Sequence, residues 1–281
     1  QPPSPMPTID NQGVFERVSI APFSLDTMAS NDKPVINLLV LGGTLEARRL
    51  CDALAERNDC RAILSLAGAT RRPVPAPIAT RRGGFGGVNG LVAYLRTESI
   101  ALVIDATHPF ASTMSAHAGD AARIVGVPLW RLTRPAWMAE TGMRWHSVPD
   151  ARTAAAALGD YGRHVFLTVG ARSLAPFADV ADKHWVIRSI EAPPATPVFS
   201  PASVIRARPP FTETDEYRLM QDYGVDVLVT KNSGAPMLET KLAAAHALNV
   251  PVVMIERPVL AAADRVFDAP GAVITALDAH Q

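Results

Sequence analysis

Gly42-Gly43-Thr44-Leu45-Glu46-Ala47 follows an almost unbroken apolar run from Val35 to Leu41 and passes at once into helical spacing through Leu50 and Leu54. The paired glycines let the backbone turn tightly and approach a ligand, and the helix start that follows offers unpaired N–H groups to an anion. This reads as a phosphate-binding strand–turn–helix. The third glycine of the G-x-G-x-x-G fingerprint is missing, so an ordinary tight turn is the competing reading. After the next strand come Ser65, Gly68, Thr70 and Arg71, with Arg72 beside them and no Asp or Glu to meet a ribose hydroxyl. Hydroxyls and arginines suit a 2′-phosphate, hence NADPH over NADH, the alternative being a solvated basic loop. Gly83, Gly84 and Gly86, with Gly87, imply close backbone approach to a ligand or a flap, against the plainer reading of a loose surface loop.

Further along, Asp105-Ala106-Thr107-His108-Pro109-Phe110 ends another strand. His108 is a weak candidate acid or base and would serve equally as a capping group, and Asp105 would serve as a helix cap. Arg131, Arg134 and Trp137 lie beyond a fourth strand; Lys231, Asn232, Ser233 and Gly234 take the equivalent place in the second half, with Lys241 on the helix after them. Basic groups converging from two sides imply a substrate rich in carboxylates. No nucleophile–base pair stands at convincing spacing and no metal-ligand cluster emerges from the seven histidines, which disfavours hydrolytic and zinc chemistry.

The elements that must position these residues alternate. Strand-like runs at 35–41, 61–67, 100–105 and 127–132 are separated by helical patterns at 45–54, 88–96 and 110–124. The second half repeats the rhythm with strands at 165–170, 185–188, 203–205, 226–230 and 252–255 and helices at 212–223 and 236–248. This predicts an α/β protein of two Rossmann-like doubly wound domains, mainly parallel in their sheets, with ligands in a cleft at the strand carboxyl ends. The expected division is an N-terminal extension at 1–33 with little order, a coenzyme domain at 34–140 and a substrate domain at 141–281, joined through 134–150. The extension is Pro-rich at its start, lacks a signal-peptide pattern, and contains Met28-Ala29-Ser30, which reads as a start.

Composition narrows the class. With 27 basic and 27 acidic residues the net charge is zero, so nothing points to nucleic acid or a membrane surface. No apolar run approaches the roughly 20 residues that span a bilayer. Two cysteines, Cys51 and Cys60, exclude a disulfide scaffold and a cysteine-ligated zinc site, and a cytoplasmic location is expected.

Five blocks in order, Leu41–Arg48, Asp105–Ala111, Arg131–Trp137, Lys231–Gly234 and Pro251–Pro258, resemble the precorrin-6A reductase family of cobalamin biosynthesis. The resemblance runs from about residue 35 to the end. It departs from the family at Arg208-Pro209-Pro210-Phe211, where Arg-Gly-Pro-Phe is usual, and at Ser233-Gly234-Ala235, where Ser-Gly-Gly is usual. It implies an oxidoreductase acting on a CH–CH group, with NADPH reducing one double bond of precorrin-6A to precorrin-6B. Gly42, Gly43 and Thr44 are then expected at the pyrophosphate; Ser65, Gly68, Thr70 and Arg71 near the adenosine end; Thr107 and His108 at the nicotinamide end; and Glu46 with the glycines 83, 84 and 86 (Gly83, Gly84, Gly86) elsewhere along the coenzyme. Arg131, Arg134, Arg172, Arg188, Arg206, Lys231, Asn232 and Ser233 are expected to bind substrate, with no metal. The proton donor is left unnamed, and product hand-over to the next pathway enzyme is an expected partner relation. Another NADPH-dependent reductase of a polyanionic small molecule, or a dinucleotide-sensing regulatory protein, are the competing functions.

Overall fold

Four consecutive leucine and valine side chains, Leu38 to Leu41, are at most 1% exposed, and they alternate between two cores. Leu38 and Val40 pack with Leu50, Leu54, Val273 and Leu277 on one face; Leu39 and Leu41 pack with Leu91, Leu95, Ala118 and Ala121 on the other. A strand covered on both faces has no use for polar alternation, which is why the run is continuous. Each such side chain contributes about 1.5–3 kcal/mol on burial, so packing rather than strand propensity fixes this element.

The computed structural model describes residues 35–67, 75–190 and 198–279. Its elements in chain order are β1 (Ile36–Leu41), α1 (Leu45–Ala55), β2 (Cys60–Leu66), β3 (Ala79–Arg82), α2 (Val88–Thr97), β4 (Leu102–Asp105), α3 (Ser112–Val125), β5 (Leu129–Leu132), β6 (Trp145–Val148), α4 (Ala151–Ala157), β7 (His164–Thr168), β8 (His184–Ser189), β9 (Ala202–Arg206), α5 (Glu213–Asp222), β10 (Val227–Lys231), α6 (Thr240–Ala247), β11 (Val252–Ile255), β12 (Arg265–Phe267) and α7 (Pro270–Asp278). They form two six-stranded sheets, ordered β12-β5-β4-β1-β2-β3 and β6-β11-β10-β7-β8-β9, with every strand pair parallel. The doubly wound α/β architecture expected from the alternation is therefore present twice. The second sheet repeats the two-sided burial: Val227 and Val229 face one core, Leu228 the other.

In each sheet the winding reverses direction once. The reversal lies between β1 and β4 in the first sheet and between β7 and β10 in the second, and at such a point neighbouring loops diverge and leave a crevice. The glycine turn and the 105–110 loop border the first crevice; Thr168–Gly170 and Lys231 border the second.

One expectation needs correcting. The block 141–281 does not stay with the second sheet, because β12 pairs with β5 at the edge of the first sheet and α7 packs on α1. Val273, Ala276 and Leu277 of α7 are at most 4% exposed against Leu50 and Leu54, and Phe267 lies 5.3 Å from the Trp130 ring. Reciprocally, β6 leaves the first sheet's run of strands to join β11. The passage 134–150 is thus a crossing between sheets that ends in a strand. Residues 1–33, expected as an extension, lie outside the described residues.

Cys51 and Cys60 are buried, and burial pushes the Cys51 thiol up to about 12, as expected of small core side chains. Among the described residues no helix is long and apolar enough to cross a membrane, and no group of His, Cys, Asp and Glu could hold a metal ion.

Candidate functional site

Thr44 begins α1 as its N-cap. Its Oγ1 accepts from the Ala47 N–H at 3.1 Å and donates to the Ala106 carbonyl at 2.8 Å, so one hydroxyl pins the helix start to the end of β4. Such a cap contributes about 0.5–2 kcal/mol. Gly43 holds φ +124°, a conformation side chains rarely adopt, and the space a Cβ would enter is open. The turn therefore presents bare backbone at a helix N-terminus. Glu46 sits in the first turn of α1, where a free carboxylate would oppose an anion; Arg134 Nη1 lies 2.6 Å from it, with both side chains largely buried. The pair leaves the helix N-terminus electrostatically open to a phosphate.

At the end of β2, Ser65 Oγ accepts from Arg81 Nη1 at 2.8 Å. Arg81 also donates to the carbonyls of Gly83 (3.0 Å) and Gly84 (3.1 Å), and its guanidinium stacks over Phe85 at 3.8 Å. Gly83 and Gly86 both hold positive φ, so this loop needs its glycines for backbone conformation. Sequence reasoning missed Arg81, because β3 reads Ala-Thr-Arg-Arg with no apolar alternation; the basic pair just before the glycines was the available signal. Gly68, Thr70 and Arg71 lie outside the described residues.

Arg131 on β5 is 8% exposed and ion-paired with Asp105 at 3.4 Å. Asp105 Oδ1 in turn accepts from both the N–H and the Oγ1 of Thr107, at 3.2 and 2.7 Å. Arg131 Nη1 donates to the Ala261 carbonyl, while Nη2 is buried without a partner among the described residues. Arg131 therefore does not reach into the cleft; it braces the Thr107–His108 loop from below. His108 Nδ1 accepts from the Phe110 N–H at 3.2 Å, which leaves Nε2 as the protonated nitrogen. Burial between the cleft walls, then Arg134, Lys231 and Arg257, lower its pKa to about 4. The ring still opens to the cleft, so it is surrounded by protein rather than sealed.

His108 also lines a cavity of about 260 Å³, whose other walls come from the second sheet: Thr168, Gly170, Arg188, Phe211, Lys231 and Lys241 among them. Lys231 ends β10, donates from Nζ to Ser173 Oγ at 2.6 Å and lies 5.0 Å from the Phe110 ring; burial lowers its pKa. Arg188 forks onto both carboxylate oxygens of Glu216 at 2.8 Å, the pair being 8% and 1% exposed, and stacks 3.9 Å from Phe211. Breaking a buried pair of this kind by removing one partner costs about 3–5 kcal/mol, so Arg188 stays with Glu216 and offers the cavity only the rest of its edge. Arg172 and Arg206 are exposed, at a turn after β7 and at the end of the edge strand β9.

Asn232 and Ser233 are buried and committed to the chain itself. Asn232 accepts from the Trp137 N–H at 2.8 Å and donates to the Trp137 carbonyl at 3.1 Å. The Ser233 carbonyl accepts from Arg134 Nε at 2.7 Å and from Arg257 Nη2 at 3.2 Å. Arg257, not singled out from the sequence, also bonds the carbonyls of Asn232, Arg134 and Pro135. These residues lash the crossing at 134–137 to the loop after β10, beside the cavity. A wider hollow of about 540 Å³ runs along Gly119–Arg123, Gly126–Leu129 and Ala261–Asp264. It opens where β5 begins, at the end of the sheet opposite to that which carries ligands in such folds.

The model of the precorrin-6x reductase CbiJ/CobK family matches residues 37–278 of this chain. The precorrin-6A reductase of Rhodococcus erythropolis is 43% identical over 237 residues, 84% of this chain and 95% of that protein. That of a Sinorhizobium species is 44% identical over 237 residues, 83% and 89% of the two. A solved structure of CobK precorrin-6A reductase aligns with a TM-score of 0.81 at 41% identity, covering 88% of this chain and 97% of that one.

Proposed function

The chain belongs to the precorrin-6x reductase CbiJ/CobK family, and from that premise we propose that it reduces one double bond of precorrin-6A to give precorrin-6B, in cobalamin biosynthesis, with NADPH as the reductant. A reductase of this family implies a nicotinamide coenzyme. The observation that carries the reading is the pairing of a glycine turn at a helix N-terminus with a cationic cavity, His108 on the loop after β4 forming part of the cavity wall.

The residues present fit such a coenzyme. Gly43 and the first turn of α1 offer backbone to a pyrophosphate, and Thr44 fixes their geometry. Where a carboxylate would select an unphosphorylated ribose, Ser65 and Arg81 stand, which favours the 2′-phosphate of NADPH. Arg71, Thr70 and Gly68 belong to the same end by sequence. Thr107 and His108 take the nicotinamide end. When bound, the coenzyme supplies hydride to an electrophilic macrocycle carbon, and one proton on the neighbouring carbon completes the addition of two hydrogens.

The protein's share is placement and charge. Lys231 meets substrate carboxylates, with the exposed Arg172 and Arg206 as further cations, while Arg188, neutralised by Glu216, offers the cavity an edge to pack against. Arg134, Asn232, Ser233 and Arg131 act one step back, by holding the loops that carry Glu46, Lys231 and Thr107. The neutral imidazole of His108 donates a hydrogen bond from Nε2 and stays unprotonated at neutral pH. Cytoplasm is the proposed compartment, where this coenzyme is kept reduced.

The test is direct. Purified protein mixed with precorrin-6A and NADPH should consume one coenzyme per macrocycle, with a change in the macrocycle absorption and a much lower rate with NADH. No oxidation of either coenzyme in the presence of precorrin-6A would remove the proposal.

A further inference from the structure

Lys241 is the second residue of α6, and its side chain is 2% exposed. Among the described residues its ammonium makes one hydrogen bond, to the Leu238 carbonyl at 2.8 Å, and lies 4.6 Å from the Trp137 ring centre. Among the described residues no carboxylate is paired with it. The neighbouring buried positions on α6 are Leu242, Ala244 and Ala245, and an apolar side chain would fill the place of Lys241 without the cost of dehydrating an amine. The feature that sets this position apart is that it lines the same cavity as Lys231, Arg188 and His108.

Among the described residues the charges around that cavity do not cancel. Of those that line it, Arg188, Lys231 and Lys241 are basic and none is acidic. Arg188 is neutralised from behind by Glu216 of α5; Glu239, before α6, is an exposed residue, and His108 is neutral at pH 7. Two lysines on different elements, β10 and α6, are left facing a space of about 260 Å³. That space is too small for a whole tetrapyrrole, since sites for drug-sized ligands run from about 300 to 1,000 Å³. It is of the size to take one edge of a macrocycle with an acidic arm.

We propose that Lys241 is a further substrate-binding residue, closing the inner end of the cavity and receiving one acetate or propionate side chain of the macrocycle. The inference rests on the reading of this cavity as the tetrapyrrole side of the cleft. The lysine side chain is long enough to swing its amine from the Leu238 carbonyl towards an arriving oxygen. Burial, and then Arg188, hold the Lys241 pKa down at about 7 in the free protein, with Glu216 and Glu239 acting the other way. Above that pH the amine is largely neutral, and an entering carboxylate restores the ammonium by drawing a proton from solvent. Binding then forms an ammonium–carboxylate pair and consumes a proton.

Two measurements test this. Lys241→Met keeps the side-chain volume; it should raise KM for precorrin-6A about tenfold, in line with the loss of one charged hydrogen bond, and leave NADPH binding unchanged. Calorimetry of precorrin-6A binding at pH 8, in two buffers of different ionisation enthalpy, should show net proton uptake by the wild type that Lys241→Met loses. The wild-type titration stands alone should the variant fold poorly: binding without proton uptake overturns the proposal. Lys231→Ala separates the two levels of the argument. Weaker substrate binding in Lys231→Ala with Lys241→Met unaltered would leave the cavity reading standing and remove Lys241 from it. No change in either variant would remove the cavity itself from the substrate site.

Discussion

His108 stands where a catalytic acid would be sought, yet its surroundings argue for a different duty. Cleft walls and three cations lower its pKa from 6.5 to about 4, so at neutral pH the ring holds one proton, on Nε2, and cannot release a second. Between about pH 4 and 6.5 the unfolded chain binds the proton that the folded chain does not, so stability rises with pH across that window. A carbon-bound proton signal of His108 should titrate near 4 in the free protein and move upward when a polycarboxylate occupies the cleft; His108→Asn should flatten the stability profile between those limits. A midpoint near 6.5 without ligand would show that neither burial nor the three cations act on the ring. Arg134 is a parallel case. Its type and place suggested a substrate anchor, but its guanidinium spans Glu46 beside the glycine turn and the Ser233 carbonyl after β10, a pairing across 88 residues that no local spacing announces.

At the scale of elements, legibility followed burial. β1, β4, β7, β10 and β11 are interior strands with continuous apolar runs, and each was readable because a strand covered on both faces must be apolar throughout. The strands that escaped are β3, β6 and β12, which lie at sheet edges and are short and part polar. The cost of missing β3 fell on the site, because it carries Arg81 to the carboxyl end of β2 and into the glycine loop. Its guanidinium holds Ser65, Gly83 and Gly84 at once and stacks on Phe85, a set of contacts a lysine could not reproduce. Arg81→Ala, and nearly as strongly Arg81→Lys, should therefore raise KM for NADPH by about tenfold while leaving the poor reaction with NADH almost unaltered, a loss typical of one charged contact. Equal losses with both coenzymes would assign Arg81 to loop shape alone. The turn at Gly42–Thr44, by contrast, was visible from its glycines and its cap.

For the molecule as a whole, the chain could be read as two similar halves but not as two that exchange their edges. Nothing in a strand's own composition says which of two like sheets it will join; β12 joins the first because α7 behind it carries Val273, Ala276 and Leu277 at the spacing that covers α1, and because Asp278 reaches Arg57 at 2.6 Å. A fragment of residues 34–140 should therefore aggregate when expressed alone, with Trp130 and the outer face of α1 uncovered, and should be recovered in soluble form on co-expression with residues 141–281. Soluble, coenzyme-binding 34–140 on its own would show that the exchange is dispensable. The arrangement also bears on how the protein is made. Segments emerging from a ribosome generally fold in order of synthesis, but here the first sheet stays open at one edge until β12 and α7 arrive, after every strand of the second sheet has already been made.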